Sequence, residues 1–140
     1  MSRYNKGTKV HQPSAIIMRL DDGSYILGQK AIAKYFGTST RRIRERSEQH
    51  GLQITKLMDI QDDRDFVKLG GRLIVNGQTL CSYRTIKEAY EENYMVRNAI
   101  YNAIERGNRH LWYLVTTPEE YDAYCEEVKK ANETLARKRG

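Results

Sequence analysis

The sequence predicts an α+β protein made of two small modules and a C-terminal helix. In each module a strand hairpin with short flanking strands accompanies two helices joined by a tight turn. The dipeptides Asp22-Gly23 and Asn76-Gly77 separate runs of β-forming residues, as in strand hairpins. Apolar residues at helical spacing follow both hairpins. A helix-capping pattern at Thr117 then opens the last segment.

The first module is predicted over residues 15–58. Its strands are expected over residues 16–20, 25–27 and 52–58. A helix over 29–36 places Ile32, Ala33 and Phe36 on one face. Gly37 interrupts that helix, and a second one, capped by Thr38 or Ser39, extends to about Gln49 and ends at Gly51.

Residues 59–71 are predicted as an acidic loop and hairpin linker. Four aspartates make the stretch acidic: Asp59, Asp62, Asp63 and Asp65. Apolar runs at 66–69 and 72–75 flank Gly70-Gly71, so a small antiparallel meander is expected here. The second module follows over residues 72–116. Its helices are expected at 85–92 and 96–106, and a short strand at 111–115.

The C-terminal segment, residues 117–140, is predicted to be an amphipathic helix. Thr117 fits the N-cap, Pro118 the first helical position, and Glu120 completes a capping box. One apolar stripe runs along it: Tyr121, Tyr124, Val128, Ala131 and Leu135. The stripe is expected to close the protein's own core, with a homodimer or a protein partner as the alternative.

The order of elements appears twice along the chain, which indicates an internal duplication. Gly37 and Tyr94 both lie between the two helices of their module, and Ile43 and Ile100 both lie in the second helix. Both pairs are separated by 57 residues. The two modules are therefore predicted to share one architecture.

The chain has 24 Lys and Arg against 18 Asp and Glu, a net charge of +6. Residues 1–51 contain ten of the basic and four of the acidic residues, which equals the whole excess. Such a concentrated excess favours a phosphate-bearing partner. Residues 1–14 are expected to form a flexible basic arm. Its Arg3, Lys6 and Lys9 can contact DNA phosphates or the minor groove.

The spacing in the first module matches a DNA-binding helix-turn-helix, with Ala33 in the first helix, Gly37 at the turn and Ile43 facing inward. The residues then predicted to project towards base edges in the major groove are Ser39, Thr40, Arg41, Arg44 and Glu45. Arg42 and Arg46 lie to the side, where DNA phosphates are expected. The alternative is a helix face that is merely solvated.

The second helix of the second module is predicted to present Arg97, Asn98, Tyr101 and Asn102 outward to DNA. Its surroundings are less basic because four glutamates are close in sequence: Glu88, Glu91, Glu92 and Glu105. A helix pair used only for packing or for protein contact is therefore nearly as good an interpretation as DNA binding.

Several residues of the second module carry a family resemblance. They are Val75-Asn76-Gly77, the run 82–89, the run 100–104 and Trp112. This pattern resembles the intron-encoded nuclease repeat, a modular DNA-binding unit found beside homing-endonuclease catalytic domains, often in phages. The resemblance covers residues 72–113, and 16–54 more loosely. It implies a helix-turn-helix that grips DNA, although Tyr94 stands where the family usually has glycine.

No catalytic constellation is evident, so an enzyme is not expected. His11, His50 and His110 are isolated in sequence, and two cysteines cannot supply a four-ligand zinc site. We expect no metal and no cofactor. No apolar run is long enough to span a membrane and no signal peptide is evident. A cytoplasmic protein is expected, nucleoid-associated if it binds DNA.

These observations favour a sequence-specific double-stranded DNA-binding protein that reads the major groove with residues 39–49. The resemblance suggests a transcriptional regulator or DNA-targeting factor of a phage or mobile element. The alternative is a protein-interaction module on a helix-turn-helix scaffold, acting on a partner such as a transcription enzyme. RNA binding is a third and weaker hypothesis.

Overall fold

The computed structural model describes residues 16–139. The predicted basic arm, with Arg3, Lys6 and Lys9, lies outside the described residues. The described chain divides into two compact units, residues 16–62 and residues 63–139. Both units contain helices and a three-stranded antiparallel sheet, which confirms the predicted α+β class.

The first unit contains strands β1 (Ile16–Arg19), β2 (Tyr25–Leu27) and β3 (Ile54–Lys56), and helices α1 (Gln29–Phe36) and α2 (Ile43–Gln49). β1 is the central strand, with Ile17 opposite Leu27 on one side and Thr55 on the other. The core of the unit joins the strand to both helices through four buried residues: Met18, Ile32, Ala33 and Ile43.

The second unit begins with α3 (Asp63–Lys68), β4 (Leu73–Asn76) and β5 (Ser82–Tyr83). It continues with α4 (Ile86–Glu92), α5 (Arg97–Glu105), β6 (Trp112–Val115) and α6 (Pro118–Arg139). β4 is central in the order β5-β4-β6. From β4 to β6 this unit repeats the first: hairpin, helix pair, then a strand on the free side of the central strand.

The turns between the paired helices have the same backbone geometry in both units. Gly37 has φ 66° and Tyr94 has φ 53°, both in the left-handed region. In each turn the next amide donates to a carbonyl five residues earlier, Thr38 to Ala33 and Met95 to Tyr90, both at 3.0 Å. These bonds end α1 and α4 in the manner that glycine serves best. Tyr94 therefore holds a strained conformation.

Replacing Tyr94 by glycine should stabilise the second unit. The left-handed conformation costs a non-glycine residue about 1–2 kcal/mol, and the Tyr94 side chain is 97% exposed, so little packing is lost. Part of the gain is offset because glycine is more flexible in the unfolded chain. We expect about 0.5–1 kcal/mol of added stability in urea unfolding. Tyr94→Ala is the control and should gain nothing comparable.

The segment predicted as an acidic loop and hairpin is in fact helical over Asp63–Lys68. Phe66 is fully buried, and the Arg84 guanidinium lies 4.0 Å from its ring centroid. Arg84 also donates from Nη2 to Asp63 Oδ1 at 2.8 Å. A Cβ added at Gly71 would approach the Phe66 ring to 2.5 Å. The prediction was wrong here because contacts distant in sequence fix α3 as part of the second unit.

The start of α6 confirms Thr117 as its N-cap. The Glu120 amide donates to Thr117 Oγ1 at 3.1 Å. The Glu120 carboxylate in turn accepts hydrogen bonds from the hydroxyls of Thr116 and Thr117. An acidic residue in the first helical turn is stabilised further by the helix dipole.

The first half of α6 packs on its own unit. The Tyr124 hydroxyl donates to the Leu80 carbonyl at 2.6 Å, and Arg64 Nε donates to Asp122 Oδ1 at 3.0 Å. Val128 is half-buried, whereas Ala131 and Leu135 are exposed. The apolar stripe therefore contacts the core only along its first half. A homodimer or protein partner on the second half stays a prediction.

Candidate nucleic-acid interface

The helix pair of the first unit forms around Ile43, which is 3% exposed. Ile43 packs in one cluster with Met18, Ile32 and Ala33. Gly37 reverses the chain between α1 and α2 through its positive φ. The predicted inward orientation of Ile43 is confirmed, and it directs the neighbouring residues of α2 outward.

Most of the predicted reading residues are exposed on this outer side. The exposed set is Ser39, Thr40, Arg41, Arg42 and Arg44. Arg46 is half-buried, and its Nη1 lies 3.5 Å from Gln49 Oε1. This fits an arginine whose aliphatic stem packs while its charge reaches solvent.

These four arginines, at positions 41, 42, 44 and 46, are not neutralised within the described part of the protein. None of them forms an ion pair with any residue from 16 to 139. Residues 29–49 contain six basic side chains against the two carboxylates of Glu45 and Glu48. We call residues 29–49 the basic helix pair. Such a surface attracts polyanions.

Sequence reasoning missed two contributors on α1. Lys30 and Lys34 are exposed and lie one helical turn apart, so they are neighbours on one side of α1 and add positive charge to the helix pair. Their spacing was the available signal. Ser47 was also missed, and it is buried at 3% exposure, with its hydroxyl donating to the Arg44 carbonyl at 2.8 Å.

The second helix of the pair does not begin as the capping pattern predicted. Thr40–Arg42 form a turn of 3₁₀-helix, and the α-helix proper starts only at Ile43. Ser39 occupies the cap position, but its side chain makes no capping hydrogen bond. The Arg42 amide donates to the Ser39 carbonyl at 3.1 Å, the i to i+3 bond of a 3₁₀ turn.

Two shallow concavities open on this surface. The larger, about 540 Å³, is lined by Thr38, Ser39, Arg41 and Arg42. The smaller, about 250 Å³, includes Arg44 and several residues of differing chemistry. Those residues are Ser47, Glu48, Gly51, Leu52, Gln53 and Ile54. Arg41 and Arg42 thus line one concavity and Arg44 the other, whereas Arg46 lines neither of the two.

The corresponding surface of the second unit differs. Arg97 and Asn98 are exposed and Asn102 is half-buried, but Tyr101 is 5% exposed. The prediction that Tyr101 projects outward was wrong, because its ring belongs to the core cluster around Ile100. This burial raises the pKa of the Tyr101 hydroxyl. Tyr101 is therefore not positioned to contact DNA.

Charge also separates the two helix pairs. Residues 86–105 contain two basic and four acidic side chains, and Lys87 Nζ lies 4.0 Å from Glu91 Oε1. Arg97 lies over the ring of Tyr90, 5.5 Å from its centroid. The charge of the first unit's helix pair therefore favours phosphate binding more than the charge of the second unit's helix pair does.

Residues 16–139 show no candidate metal site, because no three metal-ligating side chains come together among these residues. Cys81 and Cys125 are both exposed thiols. None of the helices formed by these residues has the length and apolar character needed to cross a membrane.

The resemblance of residues 72–113 to the intron-encoded nuclease repeat stays a prediction, because it rests on sequence pattern and on helix and strand order. No protein-family model, no curated protein and no solved structure matches this chain.

Proposed function

We propose that this protein binds double-stranded DNA in a sequence-specific manner through the basic helix pair. The observation that carries the proposal is the set of arginines at 41, 42, 44 and 46, which flank the buried Ile43 and form no ion pair with described residues. The first three are exposed and Arg46 is half-buried. An arginine-rich helix of this kind fits the major groove of DNA.

The chemistry of arginine supports both the discrimination of bases and the binding of phosphates. A guanidinium can donate two hydrogen bonds to the O6 and N7 atoms of guanine, which discriminates it from other bases by about 1–3 kcal/mol. Guanidinium groups that contact phosphates release condensed counterions, which favours binding at low salt. The resemblance noted above suggests transcriptional control or DNA targeting as the biological role.

The proposal is tested by selecting preferred duplexes from a random pool and measuring their binding by fluorescence anisotropy over a salt series. Wild-type affinity should fall steeply as salt rises. Arg41→Ala combined with Arg44→Ala should weaken binding to the selected duplex by about tenfold or more, since each lost arginine contact is of that order.

Lys129→Ala combined with Lys130→Ala is the matched control. Both lysines are exposed on α6, so this variant removes the same charge from another surface and should retain nearly full affinity. A wild type without measurable duplex binding at low salt would contradict the proposal and favour the protein-interaction alternative. Equal losses in both double variants would show that only overall charge matters.

A further inference from the structure

The arginines at the start of the reading helix lie in different surroundings. Arg41 and Arg42 belong to the 3₁₀ turn Thr40–Arg42, whereas Arg44 belongs to the α-helix that begins at Ile43. Arg41 and Arg42 line the larger concavity, and Arg44 lines the smaller one.

The larger concavity has the chemistry of a phosphate site. It is lined by two arginines and two residues with a hydroxyl, and none of the four is acidic: Arg41, Arg42, Thr38 and Ser39. Arginine and hydroxyl side chains are the groups that most often contact DNA phosphate oxygens. All four side chains are at least partly accessible to a ligand.

The smaller concavity has mixed chemistry. Besides Arg44, its lining residues include an amide, an acidic and an apolar residue: Gln53, Glu48 and Leu52. Base edges in the major groove also present donors, acceptors and the methyl group of thymine. A mixed surface is therefore suited to discriminate bases, whereas a purely cationic one is not.

We propose that Arg41 and Arg42, with Thr38 and Ser39, form a clamp for one stretch of DNA phosphate backbone, and that Arg44 determines sequence specificity. We call the four residues the arginine clamp. The inference rests on the proposed DNA binding and reassigns Arg41 from base reading, its sequence-predicted role, to phosphate binding.

The test compares Arg41→Gln with Arg42→Gln in one variant against Arg44→Gln alone. Each is titrated with the duplex selected by the wild type and with a random-sequence duplex of equal length. The clamp variant should bind both duplexes more weakly by the same factor. The slope of log K against log salt should become less negative by about 2, because each of the two lost phosphate contacts accounts for about 0.9 of that slope. Arg44→Gln should lose about tenfold in the ratio of selected to random affinity.

Lysine substitutions separate charge from geometry. Arg41→Lys with Arg42→Lys keeps both positive charges and should largely restore the wild-type salt dependence. Arg44→Lys should not restore discrimination, because a lysine lacks the planar two-donor fork of arginine. Circular dichroism of every variant checks that the exposed substitutions leave the fold intact.

Two results would overturn the inference while leaving the proposed function standing. One is a clamp variant that changes the selected-to-random ratio with an unchanged salt slope. The other is Arg44→Gln weakening both duplexes equally. A wild type that binds no duplex at low salt would overturn the DNA-binding proposal and the inference together, so the two failures are distinguishable.

Discussion

Gly77→Ala should lower the free energy of unfolding by about 3 kcal/mol, near the upper end of the usual cost of overpacking. A Cβ at this position would lie 2.1 Å from the Arg109 carbonyl oxygen and 2.7 Å from the His110 carbonyl carbon. These are backbone atoms, so no side-chain rotation can relieve the contact. The Gly77 amide also donates to the Leu111 carbonyl at 2.8 Å, which holds the hairpin turn against this segment.

Urea unfolding of the full chain measures this effect, and Gly23→Ala is its matched control. Gly23 lies in the equivalent turn of the first unit, has φ 88°, and would place a Cβ within 4 Å of nothing. Only the left-handed strain of about 1–2 kcal/mol applies there. If Gly77→Ala lowers the free energy of unfolding no more than Gly23→Ala does, the close approach of Gly77 to the backbone of Arg109 and His110 does not constrain the fold.

Ile43→Ala should destabilise the first unit by about 2–5 kcal/mol, the range for removing most of a buried isoleucine. Ile43 is 3% exposed and packs in one cluster with the buried residues Met18, Ile32 and Ala33, so truncating its side chain leaves a cavity in the core of the first unit. Because Ile43 also sets the orientation of α2, loss of its packing should abolish duplex binding at temperatures where the first unit of the variant is unfolded.

Ile100→Ala is the corresponding change in the second unit. Ile100 is fully buried and lies in α5 at the position equivalent to Ile43, so a similar loss of stability is expected. Amide hydrogen exchange of the full chain locates the unit that each variant loosens, and anisotropy follows DNA binding. If Ile100→Ala removes duplex binding while exchange in α1 and α2 is unchanged, the interface is not confined to the first unit.

Much of the fold could be predicted because local signals agree with the tertiary structure. The range 29–36 was predicted for α1 and is observed, since helical spacing and Gly37 both indicate its end. α3 could not be predicted in the same way. Phe66 and Val67 are adjacent apolar residues that suit a strand or a helix, and the contacts of Arg84 with Asp63 and Phe66 that settle the matter are distant in sequence.

The candidate site likewise has features that the sequence predicts and features that it does not. The inward position of Ile43 and the exposure of its arginine neighbours follow from helical spacing. The 3₁₀ turn over Thr40–Arg42 has i to i+3 hydrogen bonds and a tighter winding than an α-helix, and these residue types carry no clear signal for it. Tyr101 is predicted to project outward with Arg97, Asn98 and Asn102, yet its ring supplies apolar area to the core around Ile100.

The central position of β1 and β4 has a consequence for the order of folding. β1 pairs Ile17 with Leu27, ten residues later, and with Thr55, 38 residues later. β4 likewise pairs Ile74 with Tyr83 and with Leu114. Closing the longer loop costs more chain entropy, but a preformed helix pair shortens the span that remains to be closed. In each unit the hairpin should therefore form early and the third strand should join last. Substitutions that weaken the helix pair should then slow folding more than substitutions in the hairpin turn.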